Sequence, residues 1–243
     1  MMRGIQLLSA IGVALLLAGC ATAPADDTAG GTNDPYEQTN RALFDFNNKL
    51  DENVFLPGAK LYVAVLPDPA REGIHNFLIN LDLPVTFAND VMQGELDRGG
   101  ETMMRALVNT TVGVGGLLDV ATKIGIPYHT EDFGQTLAVY GVPAGPYLFL
   151  PVLGPKPPRD LAGYVADIYL DPTTYITIRE HFWWSAGRFT VEALDLRSRN
   201  IDTLASIERS SVDYYASVRS LYRQNRENEI RNGKTDVQNL PNF

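Results

Sequence analysis

One stretch of this sequence carries no charge and yet is rich in residues that interrupt helices. Asp, Glu, Lys and Arg are absent from residue 133 to residue 155, a length that would let a helix cross a bilayer. Residues 141–158, however, contain three glycines and six prolines, which break helices and leave backbone groups in need of other partners. The stretch therefore predicts an apolar hairpin, packed either at membrane depth against other helices or as a buried loop of a soluble helical protein.

A second uncharged segment covers residues 106–118, with the sequence ALVNTTVGVGGLL. It ends in a glycine-rich run that favours a flexible backbone. The same two interpretations apply to it, and composition alone does not choose between them. A lipid anchor on the chain would favour membrane immersion.

The remaining sequence predicts helices. Apolar residues recur with helical spacing, and Asp-Pro pairs precede two of the runs, where proline suits the first turn of a helix. The first predicted helices cover residues 35–52, 68–83 with a stop at Pro84, 84–93, 102–111 and 160–169. Helix is also predicted from Asp171-Pro172 onward, with an apolar stripe from Ala186 to Ile207. A last helix is marked by Val212, Tyr215, Val218 and Tyr222. No sustained alternation of period two occurs, so the predicted fold class is all-α.

The first twenty residues read as a bacterial lipoprotein signal. Arg3 precedes a short apolar core, and Leu17-Ala18-Gly19 leads into Cys20, the pattern that a lipoprotein signal peptidase cleaves. Residues 1–19 would be removed and the Cys20 thiol would carry the lipid; an uncleaved apolar helix or an ordinary secreted precursor is the alternative. Cys20 is the only cysteine, which excludes an intramolecular disulfide. Ala21 follows instead of the Asp that retains similar enterobacterial lipoproteins in the inner membrane, which favours the outer membrane.

The signal is followed by three regions of different composition. Residues 20–33 contain only small, polar or turn-forming types after the cysteine and are predicted to be a flexible tether. Residues 34–226 are long enough for one helical domain, and residues 227–243 are predicted to be a disordered tail. Because the tether reaches no more than roughly 45 Å when fully extended, the domain must lie at the membrane surface.

The charge balance argues against binding to strongly negative partners. Twenty basic against 29 acidic side chains give a formal net charge of −9. Such a protein is repelled by nucleic acid and by anionic lipid surfaces. Contact with a membrane would therefore have to be apolar.

Catalytic and metal sites are not predicted. Between the signal and Ser185 the chain has no serine, and it contains no Gly-x-Ser-x-Gly motif. His75, His129 and His181 are far apart in sequence, with no His-x-x-x-His pair for zinc. A lipid-acting hydrolase is thus the weakest interpretation, and we expect neither a metal nor a cofactor.

Several motifs together resemble a known family. They are Asn33-Asp34-Pro35-Tyr36-Glu37, Asn40-Arg41, Phe44-Asp45-Phe46-Asn47, Pro69-Ala70-Arg71, Asn76-Phe77-Leu78, Asn109-Thr110, Gly115-Gly116-Leu117, Asp132-Phe133-Gly134-Gln135-Thr136-Leu137, Tyr140-Gly141-Val142, Gly145-Pro146-Tyr147 and Leu150-Pro151. In order and spacing, residues 33 to about 200 are similar to the VacJ/MlaA family of outer-membrane lipoproteins. The part after about Arg199 departs from what can be matched.

The resemblance implies a ring of amphipathic helices in the inner leaflet of the outer membrane, around a central channel. Such proteins remove mislocalised phospholipids from the outer leaflet, pass them to a soluble periplasmic carrier and associate with trimeric porins. On this chain the resemblance places the hairpin that gates the channel at Phe133, Gly134, Leu137, Tyr140, Gly141, Gly145, Pro146, Tyr147 and Leu150, and the helix that braces it at Asn40, Phe44 and Asn47. The alternative is a structural, porin-associated lipoprotein without a conduit.

A ring of this kind needs an apolar outside and polar atoms inside. Phe182, Trp183 and Trp184 are candidates for an interfacial aromatic belt, with core packing as the alternative. The candidates for a polar channel lining stand within otherwise apolar runs: Asn109, Thr110, Thr111 and Gln135. Helix capping or local backbone bonding is the alternative for each of them.

Overall fold

The computed structural model describes residues 33–175 and 181–234, without the side chains of His181 and Phe182. Four predictions lie outside these residues. They are the signal at 1–19, the lipidation of Cys20, nearly all of the tether and the role of Phe182. Residues 235–243 of the predicted tail are outside them as well.

Helices make up most of the described chain, so the predicted all-α class is confirmed. They are α1 (Glu37–Leu50), a π-helical turn (Asp51–Phe55), α2 (Leu56–Val65), α3 (Asp68–Gln93), α4 (Leu96–Thr111), α5 (Val120–Lys123), α6 (Phe133–Val139), α7 (Pro158–Leu170), a 3₁₀ turn (Pro172–Tyr175), α8 (His181–Arg199), α9 (Ile201–Ser210) and α10 (Tyr214–Ile230). Closely packed pairs are α3 with α4, α6 with α7, and α2 with α8. A ring enclosing a channel stays a prediction.

The predicted helix stop at Pro84 is wrong, because α3 continues through it to Gln93. Proline removes one backbone hydrogen bond and disfavours the preceding turn, a cost that tertiary packing can offset. Leu83 and Thr86 flank the proline and are both buried. Tertiary packing at both positions therefore offsets the cost of the proline within one continuous helix.

The sequence also predicts too little helix after α1. The chain passes from Leu50 through the π-helical turn directly into α2, which the apolar pattern does not reveal. Residues 56–65 are almost uniformly apolar and have no helical periodicity. Two of the large side chains in α2, Leu61 and Val65, are exposed.

The C-terminal third differs from its prediction at two boundaries. The stripe expected from residue 186 to 207 is divided at Asn200 between α8 and α9. The last helix reaches Ile230, so the predicted domain end at residue 226 falls inside it. Val212 precedes this helix and is fully exposed instead of contributing to its apolar face.

The charge-free stretch is a short helix followed by an irregular loop and a small hairpin. Helix α6 occupies its first third, and β1 (Phe149–Leu150) pairs antiparallel with β2 (Gly154–Pro155) near its end. The register sets Phe149 opposite Pro155 and Leu150 opposite Gly154. Glycines at 141 and 145 have φ values of +84° and +78°, a region that favours residues without Cβ.

The final helix fastens the beginning of the domain. Arg219 forms an ion pair with the buried Asp34, and the Tyr215 hydroxyl donates to the same carboxylate. At the start of α10, Asp213 pairs with Arg41 of α1 at 2.6 Å. Residues 34–41 and 213–219, which lie at opposite ends of the described chain, therefore form one cluster.

Apolar burial is sparse for a chain of this length. Eight hydrophobic side chains are buried among the described residues, against fourteen polar or charged ones. Four of the eight, Phe44, Tyr147, Phe149 and Tyr215, form a single aromatic cluster. Many large apolar side chains are exposed instead, which is unusual for a protein surrounded by water. Within the described ranges, no helix is both long enough and apolar enough to cross a membrane.

Candidate functional site

Two cavities adjoin each other beside the hairpin. Their volumes are about 610 Å³ and 470 Å³, and Tyr164, Phe189 and Glu192 line both of them. These three side chains come from α7 and α8 and form the wall between the two spaces. We call the first the hairpin cavity and the second the acidic cavity.

The hairpin cavity is largely apolar. Phe55, Leu196 and Leu204 line it from three helices, and Val152 and Leu153 line it from the hairpin turn. Two cations accompany them, Arg197 of α8, which pairs with Asp51, and Lys156 of the hairpin. Lys156 follows β2, its backbone N–H donates to the Leu148 carbonyl at 2.9 Å, and its Nζ lies 5.4 Å from the centre of the Tyr164 ring. The hairpin therefore contributes both apolar surface and a positive charge to this space.

The acidic cavity is organised around one arginine. Arg188 of α8 contacts Asp82 of α3, Asp171 after α7 and Glu192 one turn further along α8, each at 2.6 Å. The guanidinium fork thus holds carboxylates from three parts of the chain. Three negative charges around a single positive one leave the group with a net negative charge.

Two polar side chains that line the acidic cavity are partly exposed, Asp82 by 54 % and Tyr128 by 45 %. Desolvation by their surroundings raises the pKa of Asp82 to about 6, against the opposing effect of Arg188, and raises the pKa of Tyr128 to about 12. Both groups therefore stay accessible to solvent from the cavity.

Two asparagines of α1 bind the backbone of the loop and hairpin. Asn40 donates from Nδ2 to the Tyr147 carbonyl at 3.0 Å, and its Oδ1 accepts from the Phe149 N–H at 3.0 Å. One heptad later, Asn47 donates to the Leu150 carbonyl at 3.0 Å and accepts from the Val152 N–H at 2.9 Å. Each asparagine amide therefore satisfies one carbonyl and one N–H of this backbone, as a neighbouring strand would in a sheet.

Aromatic packing lies between these two attachment points. Phe44 meets Phe149 edge to face, with ring centres 5.4 Å apart. The ring centre of Tyr147 lies 6.2 Å from the ring centres of both Tyr215 and Tyr222 of α10. The three residues predicted to brace the hairpin, Asn40, Phe44 and Asn47, all contact it, while a role in gating stays a prediction.

The residues predicted for the gate fall into different environments. Phe133, Gly134 and Leu137 belong to α6, where a Cβ on Gly134 would collide with Arg226 and Asp160. Tyr140 is 70 % exposed, and its hydroxyl donates to the Met92 carbonyl at 2.7 Å. The loop and hairpin hold the remaining positions, with Tyr147 buried and Gly141 exposed: Gly141, Gly145, Pro146, Tyr147 and Leu150. The structure therefore divides this set between a tightly packed helix and a loop.

Two of the four predicted lining residues are buried and bonded to protein groups. Asn109 is 3 % exposed, donates to Asp119 at 3.1 Å and accepts from the Ala121 N–H at 2.9 Å. Gln135 is 2 % exposed, and its side-chain amide contacts the Thr130 carbonyl at 3.3 Å. Both amides are thus bonded locally, and their contribution to a channel lining stays a prediction.

Thr110 and Thr111 are exposed but also have local partners. Thr110 Oγ1 accepts from Asn80 at 3.1 Å, and Thr111 Oγ1 donates to the Leu107 carbonyl at 2.6 Å. Their contribution to a channel lining stays a prediction. Of the predicted aromatic belt, Trp183 is 68 % exposed and Trp184 is partly buried.

Sequence reasoning did not find the charged side chains of the acidic cavity. The only local signal was the i, i+4 spacing of Arg188 and Glu192, which is common on solvated helix faces. Asp82 is 106 residues away from Arg188 in sequence. Nothing short of the fold brings the two together.

Two histidines contact carboxylates without forming a catalytic relay. His129 uses one nitrogen, Nε2, for both Asp90 and Thr102, and Thr102 is 1 % exposed. His75 of α3 contacts Asp195 of α8 through Nδ1 at 2.7 Å. The described ranges contain no group of three His, Cys, Asp or Glu side chains arranged to hold a metal ion.

The chain is similar to proteins of one family along most of its length. The family model for the MlaA lipoprotein matches residues 32–229. A Haemophilus influenzae protein named intermembrane phospholipid transport system lipoprotein MlaA is 33 % identical over 96 % of this chain and 93 % of its own. The Escherichia coli K12 protein of that name is 34 % identical over 93 % of this chain and 89 % of its own. An uncharacterised Rickettsia felis protein is 36 % identical over 82 % and 78 %.

A solved structure supports the same relationship. It comes from work on the structural basis for maintenance of bacterial outer membrane lipid asymmetry and superposes with a TM-score of 0.73 at 37 % identity. The match covers 81 % of this chain and 98 % of the solved one. On the family match and these identities, the chain belongs to the MlaA lipoprotein family.

Proposed function

We propose that this chain is an outer-membrane lipoprotein that moves mislocalised phospholipids from the outer leaflet to a soluble periplasmic carrier and so maintains lipid asymmetry. The observation that carries the proposal is the pair of adjoining cavities, one apolar beside the hairpin and one polar and wet. The names of the Haemophilus influenzae and Escherichia coli relatives, which refer to intermembrane phospholipid transport, support it.

The energetics of a phospholipid explain why both kinds of lining are needed. A two-chain lipid in water exposes some 30 methylenes, each worth roughly 0.8 kcal/mol. Its charged headgroup costs several kcal/mol at the centre of a bilayer. The hairpin cavity offers apolar side chains to the first acyl carbons, and the acidic cavity offers water and charged groups to the headgroup. A lipid crossing the wall between them avoids the full cost of either transfer.

The outer surface of α4 and the following loop suits the acyl region of a leaflet. Arg105 is the only charged residue between Glu101 and Asp119, and it is 2 % exposed. Its guanidinium is bonded to both oxygens of Asp119 at 3.0 Å. Apart from Thr110 and Thr111, the exposed side chains of the same segment are apolar: Met103, Met104, Leu107, Val112, Val114, Leu117 and Leu118. We therefore place this surface in the inner leaflet, on the side where the Cys20 lipid would anchor.

The two protein partners follow from the family. A trimeric outer-membrane porin would hold the domain in the membrane, and a soluble periplasmic carrier would receive the lipid. We assign no enzymatic step to the passage. Among the described side chains, Ser185 is the only serine that lines the acidic cavity, and no histidine lines either cavity.

Filling the hairpin cavity tests the conduit. Ala193 lines this cavity on α8, and Ala193→Trp would occupy it. We expect cells carrying the full-length variant to accumulate phospholipid in the outer leaflet and to become sensitive to detergent with chelator. Ala64→Trp, at an exposed position of α2, is the matched control and should behave as the parent protein.

The same variant separates a conduit from a scaffold. If Ala193→Trp still co-purifies with porin and loses lipid asymmetry, the passage carries the function. Normal surface phospholipid in a stably folded Ala193→Trp protein would favour the structural, porin-associated alternative instead.

A further inference from the structure

A third cavity lies apart from the other two, at the base of the loop that leads into the hairpin. Its volume is about 280 Å³, and it shares no lining residue with the hairpin cavity or the acidic cavity. The loop contributes Gly145 and Tyr147, the start of α7 contributes Arg159 and Asp160, and α10 contributes Arg226. We call it the basal cavity. Nothing in the transport proposal uses it.

Arg159 is the main reason to regard this space as a binding site. Its side chain is 7 % exposed, and its Nε donates to Asp160 at 3.0 Å. Within residues 33–175 and 181–234, neither of its two terminal amino groups has a hydrogen-bond partner. A guanidinium held inside the protein with its fork unpaired is ready for a bidentate partner.

The acid beside Arg159 is already engaged by other groups. Arg226 also lines the cavity, but it pairs with Asp132 at 2.6 Å and with Asp160 and Glu229 at 3.0 Å, so it adds no uncompensated positive charge. The oxygens of Asp160 are already taken by Arg159, Arg226 and the Tyr222 hydroxyl, which donates at 2.6 Å. Burial raises the pKa of Asp160, but these hydrogen bonds outweigh it, so its pKa is lowered and the group stays charged and compensated.

The first turn of α7 adds a weaker contribution. This 13-residue helix begins at Pro158, which has no N–H, and the Arg159 N–H donates to the Ala144 carbonyl at 3.3 Å. The helix dipole still places partial positive charge at this end. The unpaired fork of Arg159 is therefore the group that selects the ligand.

We propose that the basal cavity binds a phosphate-type oxyanion, with the terminal amino groups of Arg159 as its principal donors. The volume admits a phosphate with a small substituent and excludes acyl chains. The ligand is therefore either free inorganic phosphate or the headgroup phosphate of a lipid whose tails lie elsewhere. A bound oxyanion would link the loop at Gly145 to α7 and α10 and so stiffen the base of the hairpin.

Thermal unfolding of the full-length lipidated protein in nonionic detergent tests the site. Inorganic phosphate at saturation should raise the unfolding temperature by roughly 5 °C over chloride at equal ionic strength. Arg159→Gln should abolish this phosphate-dependent shift. Arg159→Lys, which keeps the charge and loses the fork, should retain a shift but need about tenfold more phosphate.

Arg219→Gln is the matched control. Arg219 is as buried as Arg159 and lies on α10, but it pairs with Asp34 and does not line the basal cavity. Its substitution should lower the unfolding temperature and leave the phosphate-dependent shift intact. Because each shift is measured within one variant, loss of stability alone cannot imitate loss of binding.

The choice of anion separates the two ligand sources. Binding of inorganic phosphate but not of glycerophosphoethanolamine indicates a free-anion site, and binding of both indicates a headgroup site. The proposal is overturned if neither compound stabilises the parent protein, or if Arg159→Gln shifts as much as the parent. The assay involves no lipid transfer, so its result is independent of the proposed transport function.

Discussion

The two uncharged segments of this chain differ in how far the protein buries their large side chains. In residues 133–155, Tyr147 and Phe149 are buried and the backbone is bonded to α1. In residues 106–118, most of the large apolar side chains are exposed, Val112 and Val114 each by 63 %. Apolar composition therefore did not decide which segment the protein covers.

The attachment points explain the difference. The first segment is held by neutral amides, Asn40 and Asn47, that bond directly to its backbone and bring it against α1. The second is held at its two ends by an ion pair, Arg105 with Asp119, which closes the loop on itself. Backbone bonding to another helix covers a segment, whereas closure by its own ends leaves the outer side chains exposed.

The largest effect is expected from the amide anchor. Asn40→Ala leaves a buried carbonyl and a buried N–H unpaired at Tyr147 and Phe149, and should lower the free energy of unfolding by about 3 kcal/mol. Asn47→Ala frees groups nearer the surface and should cost about 1 kcal/mol. Urea unfolding of the two variants measures both values. Equal losses would mean that the anchor does not depend on burial.

Low pH should destabilise the second segment, residues 106–118, and leave the first, residues 133–155, unaffected. Burial raises the pKa of Asp119, but hydrogen bonds from Thr122, Asn109 and Arg105 outweigh it and lower the pKa to about 2. A lowered carboxyl pKa adds stability above the unfolded value of about 3.8, and this stability is lost as pH falls towards 2. About 2 kcal/mol of local protection should disappear over this range.

Hydrogen exchange locates the acid effect. Amides of α4 and of the loop up to Asp119 should lose protection between about pH 4 and pH 2, while the Phe149 amide, held by neutral Asn40, should not. Asp119→Asn is the control, because it removes the titrating group and should make this part of the chain insensitive to pH. Simultaneous loss at both segments would show that they open together.

The smallest effect on stability is expected at the exposed face. Leu107 is 54 % exposed, so Leu107→Ser should change the free energy of unfolding in detergent by less than about 0.5 kcal/mol. Partitioning into phospholipid vesicles should nevertheless fall, because apolar contact area is lost. Flotation of the protein with vesicles measures it. Undiminished flotation of this variant would mean that this face does not contact the membrane.

The sequence predicted helices well where apolar periodicity was strong and poorly where neighbours decided the outcome. The final helix was visible in Tyr215, Val218 and Tyr222, and the uncapped proline start of α7 could be placed within two residues. The continuation of α3 through Pro84 could not be predicted, because it depends on the tertiary packing that buries Leu83 and Thr86.

Site residues divide in the same way. Asn40 and Asn47 were found through the family motifs, and their seven-residue spacing sets them on one face of α1. Asn109 and Gln135 looked like polar residues in an apolar lining, but their partners, Asp119 and Thr130, lie in the loops that follow or precede their own helices. Arg188 contacts carboxylates that are remote in sequence, and a single sequence does not indicate that they are close in space.

The cluster that joins the two ends of the domain sets the order in which it can fold. Asp34 accepts from Tyr215 across 181 residues of sequence, and Arg41 reaches Asp213 across 172. Contacts of such separation cannot form until nearly the whole chain is present, and closing so long a loop slows the search for the native state. The contacts between the first and last helices therefore form late. A chain that crosses a membrane with its amino end first cannot make them until α10 has crossed.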